Sequence, residues 1–260
     1  MKDFYKIVKA MLLYMDTAEK PWHTFHLVAI ALTVGATALA LYIIKKDVTR
    51  GAHLVYVFTS AVMIIGEVYK QFCLTFCNPV PFYDWYYFPF QFCSTPLITF
   101  TLCAILKKGK LFDVLSIYNG TYCLFAAIIV FVVPSSVFTK SAGLNVQSMA
   151  HHAMMIIGGA SSLVYSANKI TLKAFFGAVG IFTLMMIAAE ILNFVVSVIS
   201  DDNTINYFFI SKAYGPVFIQ PFKDAYSHPF LVAMYYVVFT EIAGFMAHSA
   251  YMIGKRRRRI

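Results

Sequence analysis

Charge is what this sequence has least of. Only 13% of its 260 residues are Asp, Glu, Lys or Arg, while 60% are hydrophobic and the mean hydropathy is +0.71. A soluble domain carries roughly 25% charged residues to cover its surface, so a water-facing globular fold is excluded. The few charges stand in short clusters between long apolar runs, the pattern of a chain whose surface faces lipid. Cysteine is also scarce. Cys73, Cys77, Cys93, Cys103 and Cys123 form no CxxC pair and no metal-ligand spacing. Three of them lie inside apolar segments, where cysteine serves as a small packing residue. Cys73 and Cys77 are four apart at the end of one segment, a geometry no disulfide bridges within a regular helix. No inverted repeat is evident, which argues against one common transporter design. The last apolar segment contains no lysine, which argues against a retinal Schiff base there.

What is present is apolar length. Seven segments, near 23–44, 52–73, 89–106, 112–134, 148–166, 172–198 and 229–253, are each about long enough to cross a hydrocarbon core of roughly 30 Å. Ahead of them, Phe4, Ile7, Val8, Met11, Leu12 and Met15 recur at helical spacing among Lys2, Lys6 and Lys9. That spacing predicts an amphipathic interfacial helix over 2–15. It is not expected to be a signal peptide, because its apolar run is short and Asp16 and Glu19 follow without a small-residue cleavage site. The expected organisation is an interfacial segment over 1–22 and one all-α, seven-helix domain over 23–260. Between the second and third segments, Asn78 to Tyr87 holds two prolines and several aromatic residues, which breaks the helix and suits the headgroup level. The longest loop runs from about Ser200 to His228.

The net charge of +9 comes from residues at the ends of apolar segments and from the run Lys255 to Arg259. Such a run reads as a cytoplasmic anchor on anionic headgroups rather than a nucleic-acid site. With seven spans, one side collects Lys45, Lys46, Arg50, Lys107, Lys108, Lys110, Lys169, Lys173 and the C-terminal run. The other collects Lys2, Lys6, Lys9, Lys20, Lys140, Lys212 and Lys223, together with most of the acidic residues, Asp224 among them. The positive-inside rule then predicts an outside N-terminus and an inside C-terminus. The partners expected are membrane lipids; no nucleic acid, metal or cofactor is called for.

Ionisable groups inside a span cost several kcal/mol and are kept mainly where they act. Four fall there: Glu67, Lys70, Glu190 and Glu241. In the predicted topology Glu67 and Lys70 sit near the outer end of the second segment, level with Gln91, Cys93, Ser94 and Thr95. His151 and His152, Glu190 and Asn193, and His228 reach the same layer. Several helices thus bring polar groups together in the outer half of the bilayer. Glu67 and Lys70, three apart, also make a self-neutralising pair, and Glu190, Asn193 and Ser197 make a stripe that suits interhelical hydrogen bonding. Adjacent histidines point about 100° apart, so one of the two is expected to face the centre. For the same reason they do not chelate one metal ion readily.

These residues resemble a family. Phe88-Pro89-Phe90-Gln91-Phe92-Cys93-Ser94 is similar to the Leu-Pro-Leu-His-Leu-Cys motif of YwaF-like integral membrane proteins, with Glu67 upstream as in that family. His151-His152 resembles its paired histidines. Asn193, followed by Asn206-Tyr207-Phe208-Phe209-Ile210, resembles its late Asn and Asn-Tyr-Met-Tyr-Leu motif. The likeness runs from about residue 50 to 230. It implies distant kinship with animal transmembrane phospholipid acyltransferases, which use a cysteine of this motif, and residence in a plasma membrane, here the bacterial cytoplasmic membrane. Two positions depart from the pattern. Gln91 replaces the motif histidine and cannot act as a base, and Phe90 stands where the animal cysteine would be, while Cys93 matches the bacterial one.

Three functions are open to such a chain. In a lipid-modifying enzyme, Cys93 is the nucleophile and His152, or else His151, the base. Glu67 or Glu190 orients the histidine, and Gln91 donates to the oxyanion. Lys70, Ser94, Asn193, Asn206 and Tyr207 complete the substrate-binding set. A transporter or receptor would use the same polar layer to hold a small polar or lipidic ligand. An accessory subunit would turn its ionisable groups outward toward a partner.

Overall fold

A chain in lipid must satisfy its backbone hydrogen bonds internally, so long apolar runs fold as helices. The computed structural model describes residues 3–202, 204–211 and 228–257. Most of the long loop predicted after Ser200, with Lys212, Lys223 and Asp224, lies outside the described residues, as do Lys2, Arg258 and Arg259. Among the described residues the fold is all-α, and the one β-bridge joins Tyr14 to Ser141. Helix α1 is Phe4–Met11, α2 Thr24–Lys46 and α3 Val48–Phe76. Then come α4, Thr95–Leu106; α5, Lys110–Tyr118; α6, Leu124–Val132; α7, Ala142–Ser166; α8, Leu172–Ser200; and α9, His228–Arg257.

Five helical stretches are long and apolar enough to cross a membrane: α2, α3, the run Lys110–Val132 formed by α5 and α6, α8 and α9. The third predicted segment departs from expectation. It does not start a helix at Pro89; a single 3₁₀ turn, Phe92–Ser94, leads into α4, which has 12 residues. That is about 18 Å at the ordinary helical rise, less than the core thickness. The reason lies in Pro96, which stands in the first turn of α4, where a proline needs no amide partner. Pro89, by contrast, sits among non-helical residues.

Helix α7 is 25 residues long but carries Asn145, His151, His152, Ser161, Ser162 and Ser166, all buried. A helix this polar does not stand against lipid, and here α2, α3, α5, α6 and α9 surround it. Between α5 and α6 the chain makes one π turn, Asn119–Cys123, wholly buried. Asn119 holds that turn to α4: its Oδ1 accepts from the Thr99 hydroxyl at 2.5 Å and its Nδ2 donates to Cys103 Sγ at 3.7 Å. Gly120 lets α7 pass close by, since a Cβ there would lie 2.7 Å from the Leu163 nitrogen. An aromatic stack ties the turn to α8 and α9, with Tyr122 and Phe182 centred 4.5 Å apart and Tyr235 and Phe239 4.4 Å apart.

The N-terminal helix is shorter than the spacing predicts. It ends before Leu13, whose φ of 50° turns the chain. One face is buried, with Val8 and Leu12 packed on Cys73 of α3. The other is exposed, as an interfacial helix requires.

Candidate functional site

The C-terminal half of α3 supplies a carboxylate whose partners are all in reach. Glu67 Oε1 takes Lys70 Nζ at 2.9 Å and accepts from Gln71 Nε2 at 2.6 Å. The side chains of Glu67 and Lys70 are only 9% and 17% exposed, so the pair stands largely away from water. Gln71 Nε2 also donates to the Tyr87 carbonyl at 2.7 Å, fastening the aromatic loop over the pair. Gln71 does not appear among the sequence candidates, although its i+4 spacing from Glu67 was a readable signal.

The two histidines of α7 are both buried, at 6% and 3% exposure. His151 Nε2 lies 2.9 Å from the Cys93 carbonyl, and His152 Nδ1 lies 2.8 Å from the Ser148 carbonyl one turn back. A carbonyl oxygen only accepts, so each of those nitrogens carries a proton. In a neutral ring the other nitrogen is then a bare lone pair. Those two atoms, His151 Nδ1 and His152 Nε2, are buried and unpartnered. The orienting groups are thus backbone carbonyls. Glu67 is engaged by Lys70 and Gln71, and Glu190, on a side chain 40% exposed, is 3.9 Å from His228.

Cys93 is half-buried, packs on the aromatic core, and sits in the 3₁₀ turn two residues before the first residue of α4. Lys70 lies within electrostatic range of Cys93, His151 and His152. Ser94 is the next residue along the chain, and the Tyr235 hydroxyl is within electrostatic range of the Cys93 thiol. Tyr235 lies outside the residues the sequence singled out; a tyrosine in an apolar helix gives no periodicity signal of its own.

Gln91 divides its amide. Nε2 donates to the Asn206 carbonyl at 3.2 Å, whereas Oε1 is buried and unpartnered. Asn206 Oδ1 in turn accepts from the Ser211 amide at 2.9 Å. Asn193 spends both ends of its side chain on Tyr207, accepting from its N–H at 2.6 Å and donating to its C=O at 3.1 Å. The Tyr207 hydroxyl donates to the Trp85 carbonyl at 2.6 Å. These three residues therefore fasten the segment around Tyr207 across the start of α4. Phe208 and Phe209 take left-handed backbone there, φ 58° and 57°, and Phe208 is buried against Phe92 and Phe182.

Glu241 is not part of this group. It lies on the exposed side of α9 with Phe245 and His248, spaced i, i+4 and i+7. Among the described residues, no three or more His, Cys, Asp or Glu side chains are grouped to hold a metal ion.

Comparison with known proteins gives one result. The model of the TMEM164 family matches residues 18–251, nearly the whole chain. No curated protein and no solved structure matches. The likeness to YwaF-like proteins rests on the motifs alone.

Proposed function

Since the chain belongs to the TMEM164 family, a family of membrane proteins, we propose that it is an intramembrane lipid-modifying enzyme that transfers acyl groups between phospholipids. One observation carries this reading: two buried imidazole lone pairs, on His151 Nδ1 and His152 Nε2, stand unpartnered in a cluster that holds Cys93 and one lysine charge. A lone pair held ready in a dry site is what a general base requires, and a thiol becomes a nucleophile when a base or positive field draws off its proton.

The reaction balances without a cofactor. The base, His152 or else His151, takes the Cys93 proton, and the thiolate attacks the ester carbonyl of a phospholipid. The ester C–O bond breaks, the lysophospholipid oxygen leaves with the proton from the imidazolium, and a thioester remains on Cys93. A second lysophospholipid gives its hydroxyl proton to the imidazole and attacks the thioester, which restores the thiol. Two donors are assigned to the developing oxyanion and thiolate, the second N–H of Gln91 Nε2 and the Lys70 ammonium that Glu67 also holds.

The proposed setting is a seven-pass chain with its N-terminus outside and C-terminus inside, in the bacterial cytoplasmic membrane. The lysine and arginine tally supports that orientation. In it, the non-helical stretch from about Asn78 to Gln91 completes the pass that α4 alone is too short to make. Such backbone is tolerated at membrane depth where protein covers it.

The test is acyl exchange in detergent with a defined mixture of phospholipid and lysophospholipid, followed by mass spectrometry. Wild type is expected to exchange chains. Cys93→Ser is expected to abolish exchange, and His152→Ala to slow it by roughly 100-fold or more. Exchange that survives Cys93→Ser removes the proposed nucleophile. No exchange from well-folded wild type removes the enzyme. The second reading would then lead, in which Gln91 Oε1 and the two imidazole nitrogens together hold the donors of a bound ligand without chemistry.

A further inference from the structure

A groove lies toward the opposite end of α8 from the polar cluster. Helices α5 and α8 part to leave an open groove of about 560 Å³, within the roughly 300–1,000 Å³ of ligand-holding clefts. Its walls are Leu111 and Val114 on one side and Gly177, Gly180, Ile181 and Leu184 on the other. Thr183 also lines it, but its hydroxyl is taken by the Val179 carbonyl at 2.9 Å and the Tyr236 hydroxyl at 3.1 Å. The space is made by missing side chains. A Cβ on Gly180 would touch nothing within 4 Å, whereas one on Gly177 would press on Val114 at 3.0 Å.

Charge marks one mouth of the groove. Lys110, the first residue of α5, lines it. Lys173 stands in the first turn of α8, on the face it shares with Gly177, Gly180 and Leu184 at i+4, i+7 and i+11. The nearest acidic residue of α5, Asp113, is already taken by Lys169 at 2.9 Å and by the Tyr165 hydroxyl at 2.9 Å. Among the described residues, neither Lys110 nor Lys173 has a carboxylate partner. From Lys173 to Leu184 is about 16 Å at the helical rise, close to half of a ~30 Å hydrocarbon core. The groove is therefore about one leaflet long, apolar along its length, and cationic at one mouth.

We infer that this groove binds one anionic phospholipid, its acyl chain along Gly180 and its headgroup between Lys110 and Lys173. A lysine near the headgroup layer attracts an anionic lipid, and a zwitterionic headgroup gains much less. A second copy of the chain fits poorly. Two-fold pairing on this face would bring the unpaired lysines of one copy against those of the other. The site is distinct from the polar layer, since Gly180 and Asn193 are about 20 Å apart along α8.

The test is native mass spectrometry of the whole chain in detergent, with phosphatidylglycerol or phosphatidylcholine of matched chains. Wild type is expected to retain one phosphatidylglycerol at least five-fold more often than phosphatidylcholine. The double variant K110Q/K173Q should retain the two lipids equally. Gly180→Leu, whose Cβ meets nothing within 4 Å, should cut phosphatidylglycerol retention at least five-fold while helicity and Tm stay as in wild type. Equal retention of the two lipids by wild type overturns the inference, and so does retention unchanged in both variants. A dimer peak that Gly180→Leu removes would assign the groove to a second copy instead.

Discussion

At the scale of single residues, the site is organised by what each polar atom has left to give. Glu67 and Lys70 neutralise each other within the protein, and removing one partner leaves a buried charge without compensation. Lys70→Met is expected to destabilise by about 3 kcal/mol, and Glu67→Gln with Lys70→Met together to cost clearly less. Thermal melts of the three variants in detergent check this, and a double variant worse than the single contradicts it. Asn193 is a second case. Asn193→Leu leaves the Tyr207 N–H and C=O without their partners, at an expected cost of about 2–3 kcal/mol. Asn193→Asp keeps the acceptor and is expected to lose about half as much. A full-sized loss from the aspartate would show that the donated bond to the Tyr207 carbonyl dominates. Lys169 carries a pH dependence of known sign. Partial burial opposes its charge, but its bonds to the Tyr165 hydroxyl and to Asp113 outweigh that and hold its pKa above the ordinary 10.5. Its contribution is therefore present at neutral pH and lost as pH rises past 10.5 through the raised value. It amounts to less than about 1 kcal/mol because both partners are about a third exposed or more. The Tm difference between wild type and Asp113→Asn is expected to be constant near neutrality and to vanish at high pH.

At the scale of elements, close approach decides more than propensity. Gly120→Ala would gain up to about 1 kcal/mol from helix propensity alone. Its Cβ, however, would meet the α7 backbone at Leu163, and overpacking of that kind costs about 1–3 kcal/mol. A net loss in Tm is the expected result. The same contrast explains what the sequence allowed to be read. Helices α2, α3, α8 and α9 were legible because apolar length is a property of the chain itself. The expectation that Glu67, Lys70, Gln91, Cys93 and the two histidines share one layer came from the cost of ionisable groups in lipid; Lys70 lies within electrostatic range of Cys93 and both histidines, while Gln91 turns to the Asn206 carbonyl. The start of α4 was not, since Pro89 and Pro96 both look like helix starts until the fold selects one. The pairing of Asn193 with Tyr207 was not legible either, because its 14-residue separation follows no periodicity. Nor were the histidine tautomers, which depend on two backbone carbonyls rather than on any side chain a motif could name.

At the scale of the whole molecule, the proposed acyl-transfer site and the proposed lipid groove lie toward opposite ends of one bundle, whose orientation is itself testable. In a Cys77→Ser background, Asp16→Cys is expected to react with an impermeant maleimide in intact cells and Asp47→Cys only after permeabilisation; the reverse order would invert the topology. Glu241, on the outer face of α9, serves as a control. Glu241→Leu is expected to leave acyl exchange unchanged, and a loss would instead favour a partner helix packed on that face. The central claim is covalent, and it is tested most directly by mixing purified protein with a phospholipid donor and no acceptor, then measuring the intact mass. One added acyl chain is expected, placed on Cys93 by peptide mapping, released by hydroxylamine and absent from Cys93→Ser. An adduct on another residue, or none from protein that exchanges acyl chains, would contradict it.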